Sequence, residues 1–384
     1  MIPSVTVLLA VHNGGEYLHG VVEDVLAQTY DDFELLVVDD ASTDGSPDLV
    51  LAAADERIRL LRNDRNIGQV PSLNLGLREA RGAYVARIDH DDRMLPTRLE
   101  RQVEVLDREP EAALVGTWID VVDEEDGLWA KPRGDVRDYV DFVLAILRDR
   151  YPFGHPSLMY RREVVLTLGG YEPALAPAED KDLYRRLALA RYEARVVREA
   201  LVRYRRHAAQ LSQERHELQL AVDHAGQERF LAELVGTEAA PALRALLADG
   251  TAGAGAAALL DRLVEGAAGR LRLSTAEREK LERGLAGHVT RRAARRGTAA
   301  RYVLAWSIRR RARYALLLPV LPLVPAVRAA ARPVYAAARR GRLSPLGRRA
   351  RRVRWLRWIY ARVRAASVDR RGDVHRGEHR APPR

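Results

Sequence analysis

Phe33-Glu34-Leu35-Leu36-Val37-Val38-Asp39-Asp40 decides the fold. A short, almost wholly apolar run stops abruptly at two acids. Such a run reads as a strand buried on both faces, as strands of a parallel sheet are. Upstream, Ser4–Val11 is a second run of the same kind, and Glu16–Gln28 carries Leu18, Val21, Val22, Val25 and Leu26 at helical spacing. Downstream, the pattern predicts a short helix over Ser46–Ala54, a strand over Ile58–Leu61, a helix over Gln69–Ala80 and a strand over Tyr84–Ile88. Strand and helix in alternation imply a parallel sheet with right-handed crossovers. Ligands of such sheets bind beyond the carboxyl ends of the strands. The polar clusters fall at those ends: His12-Asn13-Gly14-Gly15, Asp39-Asp40, Asn63–Asn66 and Asp89-His90-Asp91-Asp92.

Beyond Glu100 the order is less regular. His155–Tyr160 reads as a strand, Gly169-Gly170 as a turn and Glu179–Ala190 as a helix. The expected division is an α/β domain over 1–215, a helical region over 216–290, a basic helical extension over 291–366 and a polar tail over 367–384.

The chain has 384 residues and no cysteine, which excludes disulfides, thiolate metal sites and cysteine nucleophiles. Its net charge of +10 conceals an asymmetry. Residues 291–384 hold 27 arginines, no lysine and three acids, so the remainder is an acidic body. A tail of that kind implies an anionic partner. The N-terminus carries no basic region ahead of its apolar run, so no signal peptide is expected.

Two acidic clusters at the ends of neighbouring buried strands call for a cation, because packed carboxylates repel one another and resist desolvation. Oxygen ligands suit Mg²⁺ or Mn²⁺, which can neutralise a diphosphate leaving group. Taken alone, Asp91-Asp92 reads equally well as a solvated turn; Asp39-Asp40 at the next strand end favours the cation.

The run from Gln28 to Asp44, the segment Val5–Asn13 and Ala86–Asp92 resemble family 2 glycosyltransferases, which are inverting enzymes of GT-A fold. The resemblance continues through Asn63–Gly68, Asn74-Leu75-Gly76, Pro96–Glu100, His155-Pro156-Ser157, Gly169-Gly170-Tyr171 and Glu179-Asp180, covering roughly 1–212. It implies that Val11, Asn13, Glu16 and Asp39, supported by Asp40, grip the base and ribose of a nucleoside-diphosphate sugar. Asn66, Asp89 and His155 fall on the donor side, Asp91 and His207 are implied as metal ligands, and uracil is the implied base. The sequence departs from the family pattern at Ala41, where Gly is commoner, at His12, where Tyr is, and at Lys181, where an aromatic is usual.

Inverting transfer needs a base that takes the proton of the acceptor hydroxyl. The resemblance implies Asp180, with Glu179 orienting it or touching donor hydroxyls. Without the resemblance, both read as first-turn acids that favour the helix dipole, His155 as a core histidine and His207 as a surface histidine. A nucleotidyltransferase on a related sheet and a non-enzymatic tethered scaffold remain alternatives. The first would want a Gly-rich, Lys-containing loop after the first strand, which His12–Gly15 is not; the second predicts loss of the acids, which are present.

In the extension, Ala315–Val327 is apolar but broken by prolines and too short to span a bilayer, while Trp306, Tyr314, Trp355 and Trp358 stand among arginines. This fits a segment lying on an anionic membrane. An acidic partner is the alternative, and no nucleic-acid module is recognisable. The expected enzyme adds one or few sugars to a glycan or lipid-linked acceptor in cell-envelope polysaccharide synthesis, at the cytoplasmic face of the membrane.

Overall fold

A computed structural model describes residues 2–151, 153–207, 216–249 and 255–296. The extension beyond 296 and the tail lie outside the described residues. The chain forms two compact units, residues 1–244 with 262–281, and residues 245–261 with 282 onward.

The first unit opens with β1 (Val5–Val11), α1 (Tyr17–Leu26), β2 (Phe33–Asp39), α2 (Ser46–Ala52), β3 (Ile58–Arg62), α3 (Gln69–Glu79) and β4 (Tyr84–Arg87). The expected alternation is present, and β3-β2-β1-β4 are parallel neighbours in that order. Every residue of β1 and β2 is buried. The polar ones satisfy each other: Thr6 donates to Glu34 (2.7 Å), and Glu34 also accepts from Arg59 and the Arg81 N–H. Burial pushes the Glu34 carboxyl up, but these bonds hold it below its ordinary value. Gly76 lets α3 lie directly on the sheet, since a Cβ there would meet Leu8 at 2.2 Å.

There follow β5 (Arg93–Met94), α4 (Arg98–Arg108), β6 (Ala112–Val122), β7 (Leu128–Ala130), α5 (Tyr139–Leu147), β8 (Met159–Arg161), α6 (Arg162–Thr167), α7 (Glu179–Leu189) and β9 (Glu193–Arg205). They extend the sheet to β3-β2-β1-β4-β8-β6-β9-β5, with β7 on β6. β8 runs antiparallel to β4 and β6, while β6 and β9 are parallel. The strand expected over His155–Tyr160 is corrected. His155–Ser157 is a 3-10 turn, and the strand begins at Met159. Pro156 cannot donate to a ladder, and Ser157 Oγ donates back to Gly154 O (2.8 Å), closing the turn.

After 215 the described residues form α8 (His216–Val235), α9 (Ala240–Asp249), α10 (Ala256–Arg270) and α11 (Thr275–Arg296). α8 packs on α7 within the first unit. In the second unit, buried His288 donates to Leu247 O (2.7 Å), and Leu260, Leu285 and Val289 are fully buried. No helix among the described residues is long and apolar enough to cross a membrane.

Candidate active site

A cleft of about 730 Å³ opens at the carboxyl ends of β1 and β4. Its walls come from the loop His12–Tyr17, from Arg87 and Asp89–Asp91, from Gly154–Pro156, from Pro177–Asp180, and from Tyr204 and His207 at the end of β9. Of the residues expected to form a site, Asn13, Glu16, Asp89, Asp91, His155, Glu179, Asp180 and His207 line this one cleft.

The other four do not line it. Val11 is buried as the last residue of β1. Asp39 is fully buried, accepting from the Ser42 N–H and pairing with Arg62 (3.2 Å). Asp40, expected to support Asp39, holds the next loop instead: its carboxylate accepts from Asn63 Nδ2 and from the N–H groups of Ile67 and Gly68 (2.7–2.9 Å). Asn66 is exposed, and its side chain accepts from the Gly68 N–H (3.1 Å). The Asp39-Asp40 pair thus shapes two loops. Asn13 joins them to the cleft, accepting from Thr43 N–H (2.8 Å) while its own N–H donates to Ser42 (2.9 Å).

The acidic loop is held from beneath. Arg98, fully buried on α4, donates to Arg87 O (2.7 Å) and Leu158 O (3.0 Å), fixing the ends of β4 and β8. Gln102 donates to Val115 O and Ser157 O. Burial pulls the Arg98 guanidinium down to about 9, against the attraction of Asp92. Buried Arg87 pairs with Asp89, which also accepts from Gln69 (3.3 Å).

One oxygen each from Asp89, Asp91 and Asp92 lie within 4.8 Å of one another. Asp92 is fully buried; Oδ1 accepts from the Arg205 N–H (2.9 Å), and Oδ2 has no partner among the described residues. Burial, with Asp91 and Asp89 alongside, drives the Asp92 carboxyl well above the usual carboxylate range. His207 Nε2 lies 2.9 Å from Asp91 Oδ2. An orphaned buried oxygen within three clustered carboxylates and an imidazole is a donor set that fits a divalent cation. Asp92 is not among the ligands expected from the sequence, because four consecutive polar residues give no sign of which one turns inward.

Glu179 and Asp180, which also line the cleft, open α7. Burial, then the neighbouring Asp180, pushes Glu179 up to about 7, and its Oε2 has no partner among the described residues. Burial also raises Asp180, while the Lys181 cation and N–H pull it back. Asp180 accepts from the Lys181 N–H (2.7 Å) and from the Tyr184 hydroxyl (3.4 Å). His155 is hydrogen-bonded to the buried Tyr171 hydroxyl (3.0 Å) and held well below its ordinary pKa by burial and Arg87, so it stands neutral. Asn74 exchanges two hydrogen bonds with the backbone of Tyr171 (2.7 and 2.8 Å), which explains why Asn74 and the Gly169-Gly170-Tyr171 turn belong together. Sequence reasoning also missed Gln69, Arg87 and Gln219 as cleft residues.

Residues 6–168 match the family model described as Glycosyl transferase family 2. Bacillus subtilis (strain 168) EpsE, named as a glycosyltransferase, is 34% identical over 208 residues, which span 53% of this chain and 73% of EpsE. The chain belongs to glycosyltransferase family 2. The succinoglycan biosynthesis protein ExoO of Rhizobium meliloti (strain 1021) is 41% identical over 106 residues, 28% of this chain and 30% of ExoO. The crystal structure of S. aureus TarS 1-349 in complex with UDP-GlcNAc superposes with a TM-score of 0.49 at 16% identity, covering 82% of this chain and 90% of that one. For a family 2 glycosyltransferase the mixed sheet with helices on its flanks is the expected GT-A architecture, and the cleft sits where its parallel strands end.

Proposed function

We propose that the chain performs inverting transfer of a sugar from a nucleoside-diphosphate sugar, with uracil as base, to a hydroxyl of a glycan or lipid-linked acceptor in envelope polysaccharide synthesis. One observation carries this reading: Asp89 and Asp91, with Asp92 clustered beside them, and the carboxyl pair Glu179/Asp180 line the same cleft.

Asp91, Asp92 and His207 would hold Mg²⁺ or Mn²⁺, and Asp89 would meet the ribose. The cation supplies charge neutralisation for the diphosphate leaving group. Asn13 and Glu16, on the rim after β1, meet the nucleotide, and Asp39 acts through the loop it shapes. Asp180 takes the acceptor proton as the new glycosidic bond forms on the face opposite the departing diphosphate. Glu179, protonated for part of the time near neutrality, offers a hydrogen bond to a sugar hydroxyl. Neutral His155 forms part of the sugar wall. Residues 291–366 rest on an anionic membrane surface, at the cytoplasmic face, where a lipid-linked acceptor is presented; this part of the reading comes from the sequence alone.

The test is nucleotide release from UDP-sugars by the full chain with Mn²⁺. Asp180→Asn should keep UDP binding and lose release by about 10²–10⁴-fold. Undiminished release would remove Asp180 as base.

A further inference from the structure

Helix α8 lies beyond the segment matched by the family model, yet it reaches the cleft. Gln219, Asp223 and Gly226 fall at i, i+4 and i+7, which places them on one face of the helix. Gln219 lines the cleft, and its Nε2 donates to Pro177 O (2.9 Å), two residues before the carboxyl pair. Its Oε1 accepts no hydrogen bond from the described residues. Asp223, buried, accepts from Lys181 Nζ (2.5 Å) and from Arg185, one turn further along α7. Lys181 also donates to Asp149 (2.9 Å) and stands over the Tyr151 ring. At Gly226 a Cβ would meet Arg185 Nη1 at 2.5 Å, so the glycine permits the close approach.

Lys181 is the position at which this chain departs from the aromatic usual in its family, and its cation serves this cluster. Two cations and two carboxylates in and around a buried helix contact fix geometry more than they add stability.

We propose that α8 belongs to the acceptor side of the active site: Gln219 contacts a hydroxyl of a polyhydroxylated acceptor, and the Asp223–Lys181–Arg185–Asp149 cluster positions α7 so that Asp180 and Gln219 keep a fixed spacing. Asp223 and Lys181 are positioning residues; Gln219 is a specificity residue. This inference rests on Asp180 acting as the base. The groups facing Asp180 are Lys181 and Arg87 as cations, Glu179 and Asp223 as carboxylates, and Tyr184 and Tyr151 as hydroxyls.

The test uses the full chain with Mn²⁺, UDP as nucleotide probe, and UDP-N-acetylglucosamine with water as the minimal acceptor. Lys181→Met leaves Asp223 paired with Arg185 and is the mild variant; Asp223→Asn is the severe one. In Lys181→Met, UDP affinity should stay within about twofold, nucleotide release should fall by about tenfold or more, and the acidic limb of its pH profile should rise by about one pH unit. Lys181→Arg should restore most of the rate. Amide exchange in the first turn of α7 should accelerate in both Lys181→Met and Asp223→Asn. Unchanged release and α7 exchange in folded Lys181→Met would overturn the clamp, as would loss of UDP binding in step with release, which marks a merely structural role. Asp180→Asn run in parallel separates the two ideas. If it retains release while α7 exchange still responds to Lys181→Met, the base reading fails and the clamp stands. For Gln219, binding of methyl glycosides of glucose, galactose, mannose and N-acetylglucosamine to the UDP-loaded protein is followed by saturation-transfer NMR. Gln219→Ala should weaken the best of them by about tenfold. No binding to the parent, or equal binding to Gln219→Ala, would overturn that assignment.

Discussion

His207 Nε2 stands 2.9 Å from Asp91 Oδ2, although 116 residues separate them in the chain. The sheet brings them together. Asp91 follows β4, His207 follows β9, and the Arg205 N–H on Asp92 ties the two strand ends to each other. His207 is also packed against the Tyr17 ring, at 5.4 Å between centroids, so its position is fixed from the start of α1 as well.

If this pair belongs to a cation site, His207→Ala should raise the Mn²⁺ concentration for half-maximal nucleotide release by about 10–100-fold. Asp91→Ala should abolish metal-dependent release with little change in melting temperature, because it removes a repelled carboxylate. Chelation with EDTA should reproduce the Asp91→Ala rate in the parent. Equal Mn²⁺ dependence in parent and His207→Ala would exclude the histidine from the site.

The carboxyl pair gives a pH prediction with a definite sign. Glu179 is raised from 4.5 to about 7, chiefly by burial. The folded state therefore holds a proton that the unfolded chain has released. Its contribution is fully present below pH 4.5 and is lost as pH rises through 7. Glu179→Gln removes that loss. The variant should match the parent near pH 4.5 and exceed it above pH 7, by an amount of the order of 2–3 kcal/mol in the metal-free protein. Urea titrations at pH 4.5 and 8 read the difference. A gap that is the same at both values would show that Glu179 is ionised in the fold throughout.

The legible parts of this chain are those where one physical signal dominates. β1, β2 and β4 were readable because strands buried on both faces are continuous apolar runs, and the polar residues that follow β1 and β4 marked the cleft. β9 was not. Glu193–Arg205 carries four arginines, yet Arg195 and Arg205 are buried, answered by Glu109 and Glu193 in one case and by Asp126 and backbone carbonyls in the other. Only tertiary pairing makes such a strand possible. The same holds for Asp92 and Asp223, whose burial depends on what the sheet and the neighbouring helix bring to them. Gln219 and Asp223 left one trace, polar residues at the i and i+4 positions of a helix face that also carries Gly226, but this pattern is equally that of a solvated face.

The arginine-rich extension gives a third prediction, from composition rather than from structure. Ending the chain after Arg296 spares the described helix α11 and removes most of the excess positive charge. Binding to phosphatidylglycerol vesicles should then fall steeply, since each basic residue near an anionic surface contributes about 1 kcal/mol. Binding of the full chain should also weaken with added salt. Undiminished binding after truncation would refute the membrane role of the extension.

Ala41 gives the last. It follows Asp40 with φ +57, in the left-handed region, where a Cβ presses on the following carbonyl. That is the physical reason a glycine would suit this position. The turn cannot relax out of this conformation, because Asp39 is bonded to the Ser42 N–H and Asp40 to the N–H groups of Ile67 and Gly68. Ala41→Gly relieves about 1 kcal/mol of strain but gives the unfolded chain extra freedom of similar size. The net effect should be a gain between zero and about 1 kcal/mol. Ala41→Val adds a branched Cβ to the same backbone and should lose more than about 1 kcal/mol. It should weaken UDP binding too, because the turn it distorts holds Asn13 at the cleft. Urea melts of the two variants decide the matter. A destabilised Ala41→Gly together with a neutral Ala41→Val would mean that the turn is not left-handed in solution.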